Sequence, residues 1–166
     1  MRLILDATPL IHLIKAGFSR YFEKLDIELL TTGEILKEIR VDEDLFENAA
    51  IRDLIKSGKI KVENPKKLRK TVKGTHIGEV SVISLAEETD SVAVIDDILA
   101  RAYTKSLDLR AVHSTFLILR ALKKKVIGKR RAIDIINRMI DNGWRCDVES
   151  YKEILSKIDG IVGSKE

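Results

Sequence analysis

Carboxylates that close apolar segments are the residues with the most evident chemical potential. Asp6 ends the run R-L-I-L-D, and the pair Asp96 and Asp97 ends a second apolar run, S-V-A-V-I-D-D. An acid at such a point is either a turn or helix-capping residue or a ligand-binding residue, because ligands of open α/β sheets bind at the carboxyl ends of strands. Neighbouring side chains of an extended chain point in opposite directions, so we expect only one of Asp96 and Asp97 to face a common site.

Two glutamates on predicted helices extend this set. Thr31 and Glu34 have the spacing of a capping box, which gives Glu34 a local function at a helix start. Glu38 has no such function and lies beside apolar residues, so we assign Glu38 to the site. Glu79 begins an apolar stripe at i+3, i+4 and i+7 of a second helix. Burying an unpaired carboxylate costs several kcal/mol, so Glu79 must be capped, paired or bound to a cation.

These acids can meet at one edge of a parallel sheet. Clustered carboxylates repel one another and raise each other's pKa unless a cation neutralises them. Hard oxygen ligands select Mg²⁺ or Mn²⁺, which can activate water and stabilise the charge that develops on a phosphodiester during hydrolysis. The predicted metal ligands are Asp6, Glu38, Glu79 and Asp97, with Asp96 as the alternative to Asp97. If the acids are only helix caps, no metal chemistry follows from them.

Alternating strand and helix patterns must position these acids. Strands are predicted over Arg2 to Asp6, Ile27 to Thr32, residues 59–63, Ser91 to Asp97 and Leu109 to Ser114, each followed by a helical pattern. Thr8, Thr31 and Thr75 are predicted to cap the helices that follow the first, second and third of these strands. The repeated order of strand and helix predicts an α/β protein with a parallel sheet flanked by helices.

Composition limits the classes of protein that remain. The 166 residues predict one domain, and 30 basic against 26 acidic residues give a net charge of +4 that permits contact with nucleic acid. Basic residues cluster in Pro65 to Lys73 and in Lys123 to Arg131, either as solvated surface or as phosphate contacts. The single Cys146 excludes an intramolecular disulfide, and the absence of a signal peptide or membrane-spanning run predicts a cytoplasmic protein with no membrane contact. Gly128 lacks the neighbours that would make it part of a P-loop.

The ordered set of motifs resembles the PIN domains, a nuclease family that includes VapC-type toxins. L-I-L-D-A-T-P-L-I resembles the opening aspartate motif, with Asp6 and with Thr8 at the usual hydroxyl position. G-E-I-L-K-E-I and G-E-V-S-V-I-S-L-A resemble the helices that supply the second and third acids, here Glu38 and Glu79. V-A-V-I-D-D-I-L-A-R resembles the strand end with the fourth acid, and H-S-T-F-L-I-L-R-A resembles the last motif. The fourth acid of the family corresponds here to Asp97, with Asp96 as its neighbour. The hydroxyl residue of the last motif corresponds to Ser114.

The resemblance carries specific expectations. It implies a three-layer α/β/α fold with a mostly parallel central sheet over residues 1–127, and a helical extension over 128–166 that packs on the same domain. It also implies a Mg²⁺- or Mn²⁺-dependent endoribonuclease, often a homodimer and often the toxin that an antitoxin protein inhibits. His113 and Phe116 replace glycines that a related archaeal and bacterial subgroup tends to carry, which would narrow the site. The alternative function is an RNA- or protein-binding module of the same fold with weak or no cleavage.

Overall fold

The central element is a parallel sheet of five strands. The structure is a computed structural model and describes residues 1–163. The strands are β1 (Arg2–Leu5), β2 (Glu28–Thr31), β3 (Lys61–Val62), β4 (Val92–Val94) and β5 (Ala111–Val112), in the spatial order β3-β2-β1-β4-β5. Every strand pair in the described residues is parallel. All five predicted strands are therefore present, and the predicted α/β class with its PIN-like layers of helices and a central sheet is confirmed.

Eight α-helices connect or follow the strands. They are α1 (Ala7–Lys15), α2 (Gly33–Glu38), α3 (Phe46–Lys56), α4 (Ile77–Thr89), α5 (Ile98–Ser106), α6 (Thr115–Lys123), α7 (Lys129–Asp141) and α8 (Val148–Gly163), as counted over residues 1–163. A 3-10 helix, Phe18–Leu25, follows α1. No helix in that range is long and apolar enough to cross a membrane.

The chain forms two compact units. The first contains Met1–Ile11 and Ile27–His113, and therefore the whole sheet. Its core is made by fully buried aliphatic side chains of the strands, among them Leu3, Ile4 and Leu30. Helix α4 packs against β1 and β4, α2 packs against α4, and α5 packs against β5. Burial of both faces explains why the strands are nearly continuous in apolar residues.

Of the described residues, the second unit contains His12–Asp26 and residues 114–163. Helix α6 packs against the 3-10 helix, α7 and α8, and the rings of Phe18 and Phe22 meet edge to face at 5.9 Å within this unit. The predicted division between residues 127 and 128 stays a prediction. The last three residues of the predicted extension, 164–166, lie outside the described residues.

The predicted cap of α1 is wrong. The helix begins at Ala7, and the N–H of Leu10 donates to the carbonyl of Asp6 at 3.1 Å, so Asp6 and not Thr8 directly precedes the helix. Thr8 and Pro9 then belong to the first turn. Proline is tolerated there because the first N–H groups of a helix have no partner within the helix.

The other two predicted caps are each displaced by one residue. Strand β2 extends through Thr31, whose hydroxyl donates to the carbonyl of Leu5 at 3.0 Å, so the cap moves to Thr32. The hydroxyl of Thr32 accepts a hydrogen bond from the N–H of Ile35 at 3.3 Å. His76 and not Thr75 directly precedes α4. The hydroxyl of Thr31 cannot cap the helix as predicted, because it already donates a hydrogen bond to β1.

Strand order creates a crevice beside β1. From β1 the chain proceeds outward to β2 and β3 and then returns to β4 on the other side of β1. The connections therefore diverge at the carboxyl ends of β1 and β4, which is the usual place for a ligand in an open parallel sheet. Asp6 directly follows β1, and Asp96 is the second residue after β4, so the sheet brings these two acids to that crevice.

Candidate active site

Asp6 occupies the centre of the site. Its N–H donates to the carbonyl of Val94 at 3.1 Å, which fixes the end of β1 against β4. The side chain is only 4% exposed, and its Oδ1 finds no hydrogen-bond partner among the described residues. Burial raises the pKa of Asp6 to about 8, although the N–H of Ala7 opposes this shift. Three further acids raise it through their charges, and they are Glu79, Glu38 and Asp96.

Glu38 reaches this centre from the last residue of α2. Its carboxylate lies against the backbone of Gly78 in the first turn of α4, so closely that a Cβ at Gly78 would overlap Glu38 Oε2 and lie 2.9 Å from Ile35 Cδ1. A larger residue at Gly78 would therefore displace the ends of the Glu38 and Ile35 side chains. The charge of Glu38 raises the pKa of both Asp6 and Glu79.

Glu34 does not cap α2 as the sequence predicted. Its carboxylate pairs with Lys37 Nζ at 2.7 Å on the exposed side of the helix. The predicted capping role of Glu34 is therefore wrong. The reciprocal capping contact is made by Glu79 instead.

Glu79 makes that capping contact at the start of α4. The N–H of His76 donates to Glu79 Oε2 at 2.8 Å, and the side chain of Glu79 is buried. Burial raises the pKa of Glu79, the hydrogen bond from His76 lowers it, and the charge of Asp97 raises it. Burial is thus the main cause of the raised pKa of Glu79, and the charges of Asp97 and Glu38 add to it.

Asp96 lies near Asp6, whereas Asp97 lies near Glu79. Asp97 is exposed and caps α5, where its Oδ1 accepts a hydrogen bond from the N–H of Ala100 at 2.8 Å. The side chain of Asp96 is 6% exposed, and its Oδ1 lies 3.4 Å from His113 Nε2. Asp96 acts on the pKa of Asp6, whereas Asp97 acts on that of Glu79. The expected alternation of these side chains applies to an extended chain, and here the chain turns at Asp97 to begin α5.

The two hydroxyl residues assigned to the site lie in different environments. Thr8 is exposed on the first turn of α1. Ser114 belongs to the second unit, where it is fully buried directly before α6. The sequence missed His76 and Gly78 as parts of the site, although a glycine at the second position of an apolar helix was a signal of close packing.

The oxygen atoms of these acids are suitable ligands for a divalent cation, although the side chains do not stand close enough together to hold one ion. Within residues 1–163, no three His, Cys, Asp or Glu side chains are placed so that they could hold one ion together. The available donors are nonetheless carboxylate oxygens, and one oxygen of buried Asp6 has no partner. The residues therefore fit Mg²⁺ or Mn²⁺.

The first basic segment forms an ordered loop along α4. The backbone N–H groups of Lys66 and Lys67 donate to the carboxylate of Glu88 at 2.9 and 3.0 Å, and the N–H of Arg69 donates to Ser84 Oγ at 2.9 Å. The loop is thus fixed through its backbone, and its side chains remain on the surface. The exposed lysines that make no ion pair with a described residue include Lys67, Lys70 and Lys73.

The second basic segment is more neutralised within its own unit. Lys124 Nζ lies 3.4 Å from a carboxylate oxygen of Asp26, and Lys129 Nζ lies 2.6 Å from one of Asp159. Arg131 also pairs with a neighbouring aspartate of α7. The loop along α4 therefore offers more uncompensated positive charge than this segment.

The match to a protein family agrees with the motifs. A family model described as PIN domain matches residues 2–160. A PilT N-terminus domain protein from the hyperthermophilic archaeon Sulfolobus solfataricus P2 has a similar structure, with a TM-score of 0.49 and 13% sequence identity over 70% of this chain and 90% of that chain. The comparison with curated proteins found no match.

Proposed function

The chain belongs to the PIN-domain family, whose members are generally nucleases and typically use divalent metal ions, and from this premise we propose that it is a metal-dependent endoribonuclease. The observation that carries the proposal is Asp6. It is a buried carboxylate with one unpartnered oxygen, at the crevice beside β1, with three further acids close enough to raise its pKa.

Helix capping accounts for some of the acids but not for Asp6. Glu79 accepts from the N–H of His76, and Asp97 accepts from the N–H of Ala100, so each has a local function that needs no metal. Asp6 has the N–H of Ala7 as a partner, yet it keeps an unpartnered oxygen in a buried position. A buried polar atom without a partner costs about 1–3 kcal/mol, which a purely structural residue would avoid. A cation would satisfy that oxygen.

In this proposal the acids bind the metal ion, and a hydroxyl residue contributes a hydrogen bond. Asp6, Glu38, Glu79 and Asp97 would hold Mg²⁺ or Mn²⁺, and buried Asp96 is a further candidate beside Asp6. When bound, the ion supplies an activated water and stabilises negative charge on the phosphate. The burial of Asp6 excludes bulk water from that side of the site and strengthens its attraction for a cation. Thr8 would assist by hydrogen bonding.

We assign the loop along α4 to the RNA backbone. Lys67, Lys70 and Lys73 would pair with phosphates and position the strand, whereas the segment from Lys123 to Arg131 has fewer uncompensated charges to offer. Each phosphate contact that is lost lowers the slope of log affinity against log salt by about 0.7 for a single strand. Replacement of Lys70 and Lys73 by glutamine should therefore lower the slope by about 1.4. A slope that does not change refutes this assignment.

The main test combines metal binding with cleavage. Mn²⁺ binding is measured by calorimetry, and cleavage of a structured RNA is followed with the same samples of wild type, Asp6→Asn and Asp53→Asn. Asp53 is an exposed acid of α3 and serves as the matched control. We expect Asp6→Asn alone to lose both binding and cleavage. A wild type that binds no divalent ion would refute the metal-dependent function.

The alternative function is an RNA- or protein-binding module with weak or no cleavage. It is favoured by one observation, which is that no three potential ligands stand together in the described part of the chain. Metal binding and RNA binding without cleavage by the wild type would support it. The homodimer, the antitoxin partner and the cytoplasmic location stay predictions, and sedimentation of the purified chain with and without the product of a small neighbouring gene tests the first two.

A further inference from the structure

His113 is a side chain at the crevice to which the proposed reaction gives no task. It follows β5, the strand next to β4, and Val94 and Val112 are register partners in these strands. The N–H of Ile95 donates to the carbonyl of Val112 at 3.0 Å, which holds the two strand ends side by side. This register brings the imidazole of His113 to Asp96, with Nε2 3.4 Å from Oδ1.

The distance between these two atoms suits two ligands of one ion. Ligands about 2.1 Å from an ion and at right angles to each other stand about 3 Å apart. The side chain of Asp96 is nearly inaccessible, whereas that of His113 is 29% exposed, so the pair joins a buried oxygen to a nitrogen that reaches the crevice. The charge of Asp96 also acts on Asp6, the residue with the unpartnered Oδ1.

We propose that His113 is a nitrogen ligand of the bound ion, with Asp96 as its neighbouring oxygen ligand, and that it makes the site selective for Mn²⁺ over Mg²⁺. The proposal rests on the proposed function only in that the site holds a divalent cation. Mg²⁺ is a hard cation that keeps oxygen ligands and its waters. Mn²⁺ is the weakest binder of the divalent first-row transition metals, but as a transition metal it accepts a nitrogen ligand more readily than Mg²⁺ does. An imidazole in the ligand set therefore shifts the balance between these two ions toward Mn²⁺.

The other histidines allow a direct test. His76 precedes α4 beside Glu79, and His12 lies on α1 in the second unit. Pulsed electron paramagnetic resonance of the full chain loaded with Mn²⁺ detects nitrogen bound directly to the ion. We expect a nitrogen coupling in the wild type that is lost in His113→Gln and kept in the matched variant His76→Gln.

A second variant keeps the test independent of how His113→Gln folds. In the double variant His12→Gln/His76→Gln, His113 is the sole histidine of the chain. The coupling should persist in this variant. Its absence there, its absence from the wild type, or its survival in His113→Gln would each overturn the proposal.

Selectivity gives the second readout. The ratio of Mn²⁺ affinity to Mg²⁺ affinity, measured by calorimetry, should fall at least about tenfold in His113→Gln, since loss of even an indirect partner of a metal site typically costs 10–100-fold in affinity. An unchanged ratio overturns the proposal. A wild type with bound nitrogen that cleaves no RNA would refute the nuclease function alone, and one that cleaves RNA without bound nitrogen would refute the role of His113 alone.

Discussion

Replacement of Asp6 by asparagine should stabilise the protein at neutral pH. The pKa of Asp6 is about 8 in the fold against a reference value of 3.8, so between these values the folded state holds a proton that the unfolded state has released. Stability due to Asp6 therefore falls as pH rises through this window. The free energy of unfolding falls by about 1.4 kcal/mol for each pH unit above 3.8, so at pH 7 ionisation of Asp6 has cost the wild type about 4 kcal/mol of stability.

The amide of asparagine offsets part of that gain. It cannot ionise, but its NH₂ group adds a buried donor without a partner, at a cost of about 1–3 kcal/mol. The net gain at pH 7 is then about 2 kcal/mol, which corresponds to about 4–8 °C in melting temperature for a chain of this length. Near pH 4 only the cost of the amide remains, so Asp6→Asn should be less stable than the wild type there. The two stabilities should cross near pH 5, on the same arithmetic of about 1.4 kcal/mol per unit.

Thermal melts from pH 4 to pH 9 without divalent ions test this prediction. Asp53→Asn, with an exposed carboxyl, should follow the wild type at every pH. Mn²⁺ at pH 8 should raise the melting temperature of the wild type and leave Asp6→Asn unchanged, because the ion stabilises the ionised carboxylate that the variant lacks. A difference between wild type and Asp6→Asn that is the same at all pH values would refute the burial argument.

Two further predictions concern the neighbours of Asp6. Gly78→Ala should displace the Glu38 carboxylate and weaken Mn²⁺ affinity in calorimetry, whereas Gly160→Ala in α8, where a Cβ meets nothing within 4 Å, should keep that affinity and raise stability by about 1 kcal/mol. Equal affinities in the two variants would contradict the close packing of α2 on α4. Asp97→Asn should leave the melting temperature within about 1 °C because asparagine caps a helix as well as aspartate. A loss of Mn²⁺ affinity in Asp96→Asn with none in Asp97→Asn would identify Asp96 as the strand-end ligand.

The sequence predicted the fold in more detail than the site. Apolar runs that end in acids gave the right strands, because strands buried on both faces need continuous apolar residues. Parallel order led us to expect Asp6, Glu38 and Glu79 near one another, and the charges of Glu38 and Glu79 do act on the pKa of Asp6. The helix starts were less predictable, since Thr31 could satisfy its hydroxyl either in a cap or against β1, and only the strand register decides between them. Local patterns carry no information about such tertiary competitors.

The same limit explains what was missed at the site. The role of Gly78 depends on the angle at which α2 crosses α4, which brings the Glu38 carboxylate onto its backbone. The contact of His113 with Asp96 depends on the register of β5 against β4. Both contacts join separate elements, so no pattern within one segment of the chain predicts them. The capping contact between His76 and Glu79, in contrast, lies within one segment and has a recognisable spacing.

Helix caps and metal ligands need not be different residues in this protein. Glu79 is held by the N–H of His76, and Asp97 by that of Ala100, so these hydrogen bonds fix where the two carboxylates stand before any ligand arrives. Asp6 and Asp96 are fixed instead by burial at the strand ends. A cation would then meet carboxylates that the fold already holds in place, while burial, together with the charges of neighbouring acids, keeps the pKa of Asp6 high. If the acids served capping alone, only Glu79 and Asp97 would need to be acidic, and Asp6→Asn would change stability without any effect on metal binding.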